Sequence, residues 1–162
     1  MTKSTANFRL SNPIHFLALG FGSGLAPIAP GTAGTLPGVL LAWGLSLLAW
    51  PWGGLLLIAL TLLGVWLCEK TSADLGVHDH SGIVWDEIVG YAWMMLCLPW
   101  NVQTVLLAFV LFRFFDILKP WPISALDKHV HGGVGIMLDD CVAALFAWGM
   151  IKGAMLLLPG FF

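Results

Sequence analysis

Long apolar runs, broken by only two polar stretches, leave this chain few ways to fold. The runs cover residues 36–50, 53–68, 82–98, 102–118 and 141–158. The nine acidic residues crowd around the two polar stretches. Glu69, Asp74, Asp79, Asp86 and Glu87 belong to the first, and Asp116, Asp127, Asp139 and Asp140 to the second. Of the 162 residues, 59% are hydrophobic and 10% charged. A soluble domain is about 45–50% apolar and about 25% charged, and a core of this size could not hide so many large apolar side chains. The expected fold is therefore all-α: one multi-pass, membrane-embedded domain over 1–162, with four to five apolar helices arranged in hairpins.

The runs are short for spans, since crossing a bilayer takes about 20 residues. Pro51-Trp52 joins the first two runs and Pro99-Trp100-Asn101 the next two, which reads as two tight helical hairpins. Residues 1–13 form a short polar tail without a convincing signal peptide, so the whole chain is taken as mature. Residues 14–35 are apolar but rich in Gly and Pro, which suits a re-entrant or interfacial segment better than a spanning helix. Trp50, Trp52, Trp85, Trp100 and Trp121 sit beside run ends, as interfacial anchors do. Cys68, Cys97 and Cys141 match no disulfide or Cys-x-x-Cys pattern and read as small buried thiols. A net charge of −2 offers no broad attraction to nucleic acid.

Basic residues set the orientation. With five spans, the turns at Pro51 and Pro99 share a side that carries no Lys or Arg. Lys3, Arg9, Lys70, Arg113, Lys119 and Lys128 fall on the other side, which the positive-inside rule places in the cytoplasm. Lys152, inside the last run, is the exception, and it either snorkels or faces the bundle. Both acidic stretches then meet at the cytoplasmic headgroup level. Counted from the Pro99 turn, Asp86 and Arg113 both lie roughly 20 Å up the second hairpin. Ionisable groups at such depth face the bundle interior and need partners.

Arg113, Asp116 and Lys119 recur every three residues and so share a helix face. Asp139 and Asp140 are expected to open the last helix, where the dipole favours carboxylates. Taken singly, Asp86, Asp139 and Asp140 read equally well as helix caps, and Arg113–Asp116 as a simple ion pair. Together at one face, the acid pairs Asp86-Glu87 and Asp139-Asp140, with Asp116, offer oxygen ligands suited to Mg²⁺. The Gly- and Pro-rich loop through Ser23 and Thr32–Thr35 has the small residues of an anion cradle, although most such loops are only turns. It lacks the Gly-Lys-Ser/Thr of a Walker loop. His78-Asp79-His80 fits no zinc spacing; its histidines read as polar loop residues and Asp79 as the functional member. No Ser, Cys or His nucleophile motif is evident, so water activated by a metal ion is the simplest attacker.

The ordered motifs resemble one known family. They are Gly20-Phe21-Gly22-Ser23-Gly24 with Pro30-Gly31-Thr32; Gly76-Val77-His78-Asp79-His80; and Ile83-Val84-Trp85-Asp86-Glu87-x-x-Gly90. They continue with Arg113-x-x-Asp116-x-x-Lys119-Pro120-Trp121-Pro122 and His131-Gly132-Gly133-x-Gly135-Ile136-Met137-x-Asp139-Asp140. From about Ser11 to the last helix, the chain resembles bacterial phosphatidylglycerophosphatase A. The resemblance implies a multi-helical, Mg²⁺-dependent phosphatase of the inner membrane, facing the cytoplasm. Its substrate would be the lipid phosphatidylglycerophosphate and its products phosphatidylglycerol and phosphate; no protein partner is implied. On that basis Asp79, Asp86, Glu87, Asp139 and Asp140 hold metal, with Asp116 assisting. Arg113 and Lys119 bind the terminal phosphate, and Ser23, Thr32 and Thr35 contact phosphate or headgroup. Asp86, Glu87, Asp116, Lys119, Asp139 and Asp140 form the catalytic set. Two rivals come from other classes: a small divalent-cation carrier or channel component using the same carboxylates, and a structural protein whose charges are caps and anchors.

Overall fold

The computed structural model describes residues 8–158, 160 and 162. The expected tail residues 1–7, Lys3 among them, lie outside that range. The described residues form seven α-helices and one 3₁₀ turn, with no strand among them. In chain order these are α1 (Pro13–Ala18), the turn Ser23–Leu25, α2 (Pro30–Ser46), α3 (Trp50–Leu75), α4 (Trp85–Leu96), α5 (Val102–Leu118), α6 (Ile123–His129) and α7 (Gly132–Leu157).

α4 is the axis of the bundle. It packs against α2, α3, α5 and α7, and ten of its 12 residues are buried. Such a helix needs apolar residues all round rather than one stripe, and Ile88, Val89, Tyr91, Ala92, Met94 and Met95 supply them. At 12 residues it is only about 18 Å long and does not cross a bilayer alone. Polar side-chain bonds pin it to its neighbours. Trp85 Nε1 donates to the Leu60 carbonyl at 3.1 Å, Trp93 Nε1 to Thr61 Oγ1 at 2.9 Å, and the Tyr91 hydroxyl to the Val105 carbonyl at 3.1 Å. Trp85 is thus a core residue, not an interfacial anchor. Trp50, Trp52 and Trp121 do stay exposed. Of the cysteines, Cys68 is buried, but Cys97 is exposed.

α3 and α7, each of 26 residues, are long and apolar enough to cross a membrane. The most apolar window of α3 is only 28% buried against the rest of the protein. Leu40, Leu55, Leu62, Leu106, Val110 and Leu145 all point outward. So much contiguous exposed apolar surface exceeds what a soluble monomer shows, and it marks a helical membrane protein.

Several boundaries depart from those expected. α2 starts at Pro30, not Leu36, so the Gly/Pro-rich segment ends in ordinary helix; Pro30 is preset for a first helical position. α7 starts at Gly132. Asp139 and Asp140 therefore sit about two turns inside it rather than at its opening. The early start is possible because other elements satisfy the first amides of α7. Glu69 accepts from the Gly133 N–H at 2.5 Å and His78 Nε2 from the Gly132 N–H at 3.0 Å. Lys152 lies near the far end of α7.

Small residues bring α2 onto α4, as in many membrane bundles. Gly31, Gly34 and Gly38 line one face of α2. A Cβ at Gly38 would stand 3.0 Å from the Ile88 carbonyl oxygen, whereas one at Gly44 would meet nothing within 4 Å. Gly38→Leu is accordingly expected to destabilise the bundle by about 1–3 kcal/mol through overpacking, while Gly44→Ala leaves it unchanged. Melting in detergent measures the difference, and equal melting of the two variants would refute this packing.

Candidate active site

Five parts of the chain converge at one end of the bundle: the N-terminus of α2, the loop before α4, the first turn of α4, the end of α5 and the second and third turns of α7. They enclose a cavity of about 360 Å³ lined in part by Gly31, Thr32, Asp79, Asp86, Glu87, Arg113, Asp116, Lys119, Asp139 and Asp140. Asp86, Glu87, Asp139 and Asp140 are each at most 8% exposed.

Two cationic groups organise the carboxylates. Arg113, on the penultimate turn of α5, donates from one guanidinium nitrogen to Glu87 Oε1 at 3.1 Å and also to Asp116. Gly31 and Gly34 let α2 close over this group, because a Cβ at either position would strike the Glu87 carboxylate. Lys119 ends α5 in a left-handed conformation, φ 42°. There its ammonium donates to Asp127 at 2.6 Å and to Asp139. Burial works against that charge, but the hydrogen bonds to both carboxylates outweigh it and hold Lys119 firmly protonated. Ala29, Asp79 and Lys119 all line the cavity and all carry positive φ. For non-glycine residues each such conformation stores strain on the order of 1–3 kcal/mol, and such residues cluster at functional sites.

The arrangement leaves unmet demands. Six acidic side chains and only two cationic ones line the cavity. Asp86 Oδ1, Glu87 Oε2 and Asp140 Oδ2 are buried without a hydrogen-bond partner. Buried polar atoms are normally satisfied, and an uncompensated buried charge is very unfavourable. The donor set, all carboxylate oxygen and with an excess of negative charge, fits a hard divalent cation. Among the described residues no group of three or more His, Cys, Asp or Glu side chains is placed to hold a metal ion by itself. Mg²⁺ does not require one: it is bound through one or two carboxylates and keeps waters and substrate phosphate as its other ligands. The first amides of α2, at Gly31 and Thr32, lack intrahelical partners by helix geometry and favour an anion, and both residues line the cavity. Arg113 Nε is also unpartnered.

Not every expected residue arrives. The Ser23 hydroxyl donates to the Gly20 carbonyl at 2.8 Å and does not line the cavity. Thr35 is fully buried and donates to the Gly31 carbonyl at 2.9 Å. Both hydroxyls fold the loop and helix instead of facing a ligand, and of the hydroxyl trio only Thr32 reaches the cavity. The loop histidines are structural too: His78 caps α7, and His80 Nδ1 accepts from the Gly82 N–H at 3.0 Å. Conversely, Asp127 was not expected. It sits on α6, beyond a proline-broken connection, so no helical spacing links it to Lys119.

The fold and cavity define a helical membrane protein with a dense, two-signed charge cluster at one end of its bundle. The family model described as phosphatidylglycerophosphatase A matches residues 16–155. The chain is 46% identical over 147 residues to the Escherichia coli protein named Phosphatidylglycerophosphatase A, covering 90% of this chain and 86% of that one. It is 52% identical over 142 residues to the Haemophilus influenzae protein of the same name, covering 85% and 86%. A Bacteroides thetaiotaomicron protein, provisionally named as a phosphatidylinositol-3-phosphatase, is 38% identical over 146 residues, covering 85% and 91%. No solved structure matches. The chain belongs to the phosphatidylglycerophosphatase A family.

Proposed function

We propose that this protein hydrolyses phosphatidylglycerophosphate to phosphatidylglycerol and phosphate, with Mg²⁺ as cofactor, at the cytoplasmic face of the bacterial inner membrane. The observation carrying this reading is the cavity itself. Buried carboxylates with unpartnered oxygens share it with Arg113, Lys119 and the start of α2. Family membership adds the lipid.

Asp86 and Asp140, whose buried oxygens lack partners, would hold the metal, with Asp79, Glu87 and Asp139 lining the cavity beside them; the ion would supply Lewis-acid polarisation of the phosphoryl oxygens. Arg113, Lys119 and the Gly31 and Thr32 amides bind the phosphate and stabilise charge that develops in the transition state. Asp116 and Glu87 fix the Arg113 guanidinium, and Asp127 fixes Lys119. A carboxylate from the Asp86–Asp140 group takes the proton of the attacking water. The rival cation-carrier reading finds no support in the interior. Among the described residues, every buried Asp and Glu lies at the cavity end, and the far halves of α4 and α7 bury apolar side chains.

Specificity is tested by comparing kcat/KM on phosphatidylglycerophosphate, phosphatidic acid and phosphatidylinositol 3-phosphate in the same mixed micelles. The expected result is a preference for phosphatidylglycerophosphate of about tenfold or more. Equal rates on all three would make the protein a general lipid phosphatase, and release from none would overturn the enzyme reading.

A further inference from the structure

Asp79 lines the cavity in a left-handed conformation, φ 49°. A non-glycine residue keeps such a backbone only where its surroundings over-determine it. Its two neighbours in the chain supply the hold. Before it, His78 Nε2 accepts from the Gly132 N–H at 3.0 Å and ties the loop to α7. After it, the His80 ring stands edge-on to the Phe8 ring, with centroids 4.9 Å apart and planes at 90°. Along this segment Asp79, Ser81 and Ile83 line the cavity, and His80 and Gly82 between them do not. Those two meet Phe8 instead: a Cβ at Gly82 would stand 3.0 Å from the Phe8 ring. His80 Nδ1 also accepts the Gly82 N–H at 3.0 Å, and the His80 carbonyl accepts the Ile83 N–H at 2.7 Å. Whatever fixes His80 therefore fixes the cavity-lining residues on either side of it.

Phe8 is itself anchored. The next residue, Arg9, donates its backbone N–H to His15 Nδ1 at 3.2 Å, and its carbonyl accepts the Asn12 N–H at 2.8 Å. With Nδ1 accepting, the His15 proton lies on Nε2, which donates to Asp74 Oδ2 of α3 at 3.3 Å. His15 is buried, so the segment before α1 is tied to α3 through a fixed ring.

We infer that Phe8 is a positioning residue: by holding the His80 ring from outside the cavity, it keeps the Asp79–Ser81 segment in the cavity wall. Neither Phe8 nor His80 lines the cavity, so the effect passes through the loop backbone. The inference rests on the lipid phosphatase reading and extends its machinery to the segment before α1.

The test uses Phe8→Ala, which removes one ring, and His80→Asn, which removes the other but keeps an acceptor for the Gly82 N–H. Each variant and the double variant are compared with wild type in detergent by hydrogen exchange, and by kcat and KM on phosphatidylglycerophosphate with Mg²⁺. In each single variant the amides of residues 79–83 should exchange about two- to tenfold faster, the range that an edge-to-face ring pair spans, while those of α4 stay unchanged. The kcat should fall about tenfold or more, as a displaced site group costs, with KM within about twofold of wild type. The double variant should be no slower than the slower single one, because all three break the same contact. Unchanged exchange over residues 79–83, faster exchange that spreads through α4, unchanged kcat, or losses that multiply in the double variant would each overturn the positioning role. A wild type that releases no phosphate overturns the phosphatase reading instead, and the exchange result alone then decides whether Phe8 holds the segment.

Discussion

Replacing Asp140 with Asn is expected to reduce phosphate release by on the order of 10²–10³-fold or more while leaving the fold intact. Asp140 is 2% exposed, and its Oδ2 has no hydrogen-bond partner. It faces the same cavity as Asp86, Glu87, Asp116 and Asp139. In a metal-free protein this carboxylate is a liability, because burial and like-charge neighbours both disfavour it. The near-isosteric amide removes the charge, so in EDTA the variant should melt no lower than wild type. With Mg²⁺ the order should reverse: wild type gains stability by binding the ion, and the variant gains less. Melting curves with and without Mg²⁺ thus separate a role at the cation site from a role in packing. An Asp140→Asn variant that keeps full activity, or that melts far lower in EDTA, would remove Asp140 from the site.

Arg113→Ala should do the opposite to stability. Arg113 is the shared partner of Glu87 and Asp116, and all three side chains are about nine-tenths buried. Removing one member of a buried ionic group strands the others, typically at about 3–5 kcal/mol. A large fall in detergent melting temperature is expected, together with loss of phosphate release. Arg113→Lys keeps the charge but loses the planar guanidinium and its further N–H donors. It should recover part of the stability and little of the activity. Unchanged melting of the Ala variant would show that the triad does not hold α4 to α5.

Much of this was legible in the sequence because the chemistry is concentrated. In so apolar a chain each buried charge needs a reason, so Asp86, Glu87, Arg113, Asp116, Asp139 and Asp140 could be named before any coordinates. They do line one cavity. The second hairpin turn was equally visible at Pro99-Trp100, whereas Pro51-Trp52 belongs to the first turn of α3, which begins at Trp50. What could not be read was anything that depends on one segment touching another. The start of α7 at Gly132 depends on Glu69 of α3 and His78 of the loop after it, both distant in sequence. Without that contact, Gly132-Gly133-Val134-Gly135 reads as a loop, and Asp139 and Asp140 as a helix opening. The Ser23 and Thr35 hydroxyls look available in the sequence, yet their own backbones consume them. Asp127 gives no periodic signal toward Lys119, and its ion pair exists only because α6 folds back beside α7. Gly31 and Gly34 are common helix residues until the Glu87–Arg113 pair is seen beneath them.

One measurement bears most directly on the whole account. It is phosphate release from phosphatidylglycerophosphate by detergent-purified protein, first with Mg²⁺, then with excess EDTA, then with Mg²⁺ restored. Release that stops with EDTA and returns with the ion is the result this structure leads us to expect. Steady release in EDTA would contradict the role given to the buried carboxylates, and no release at any stage would contradict the lipid phosphatase itself.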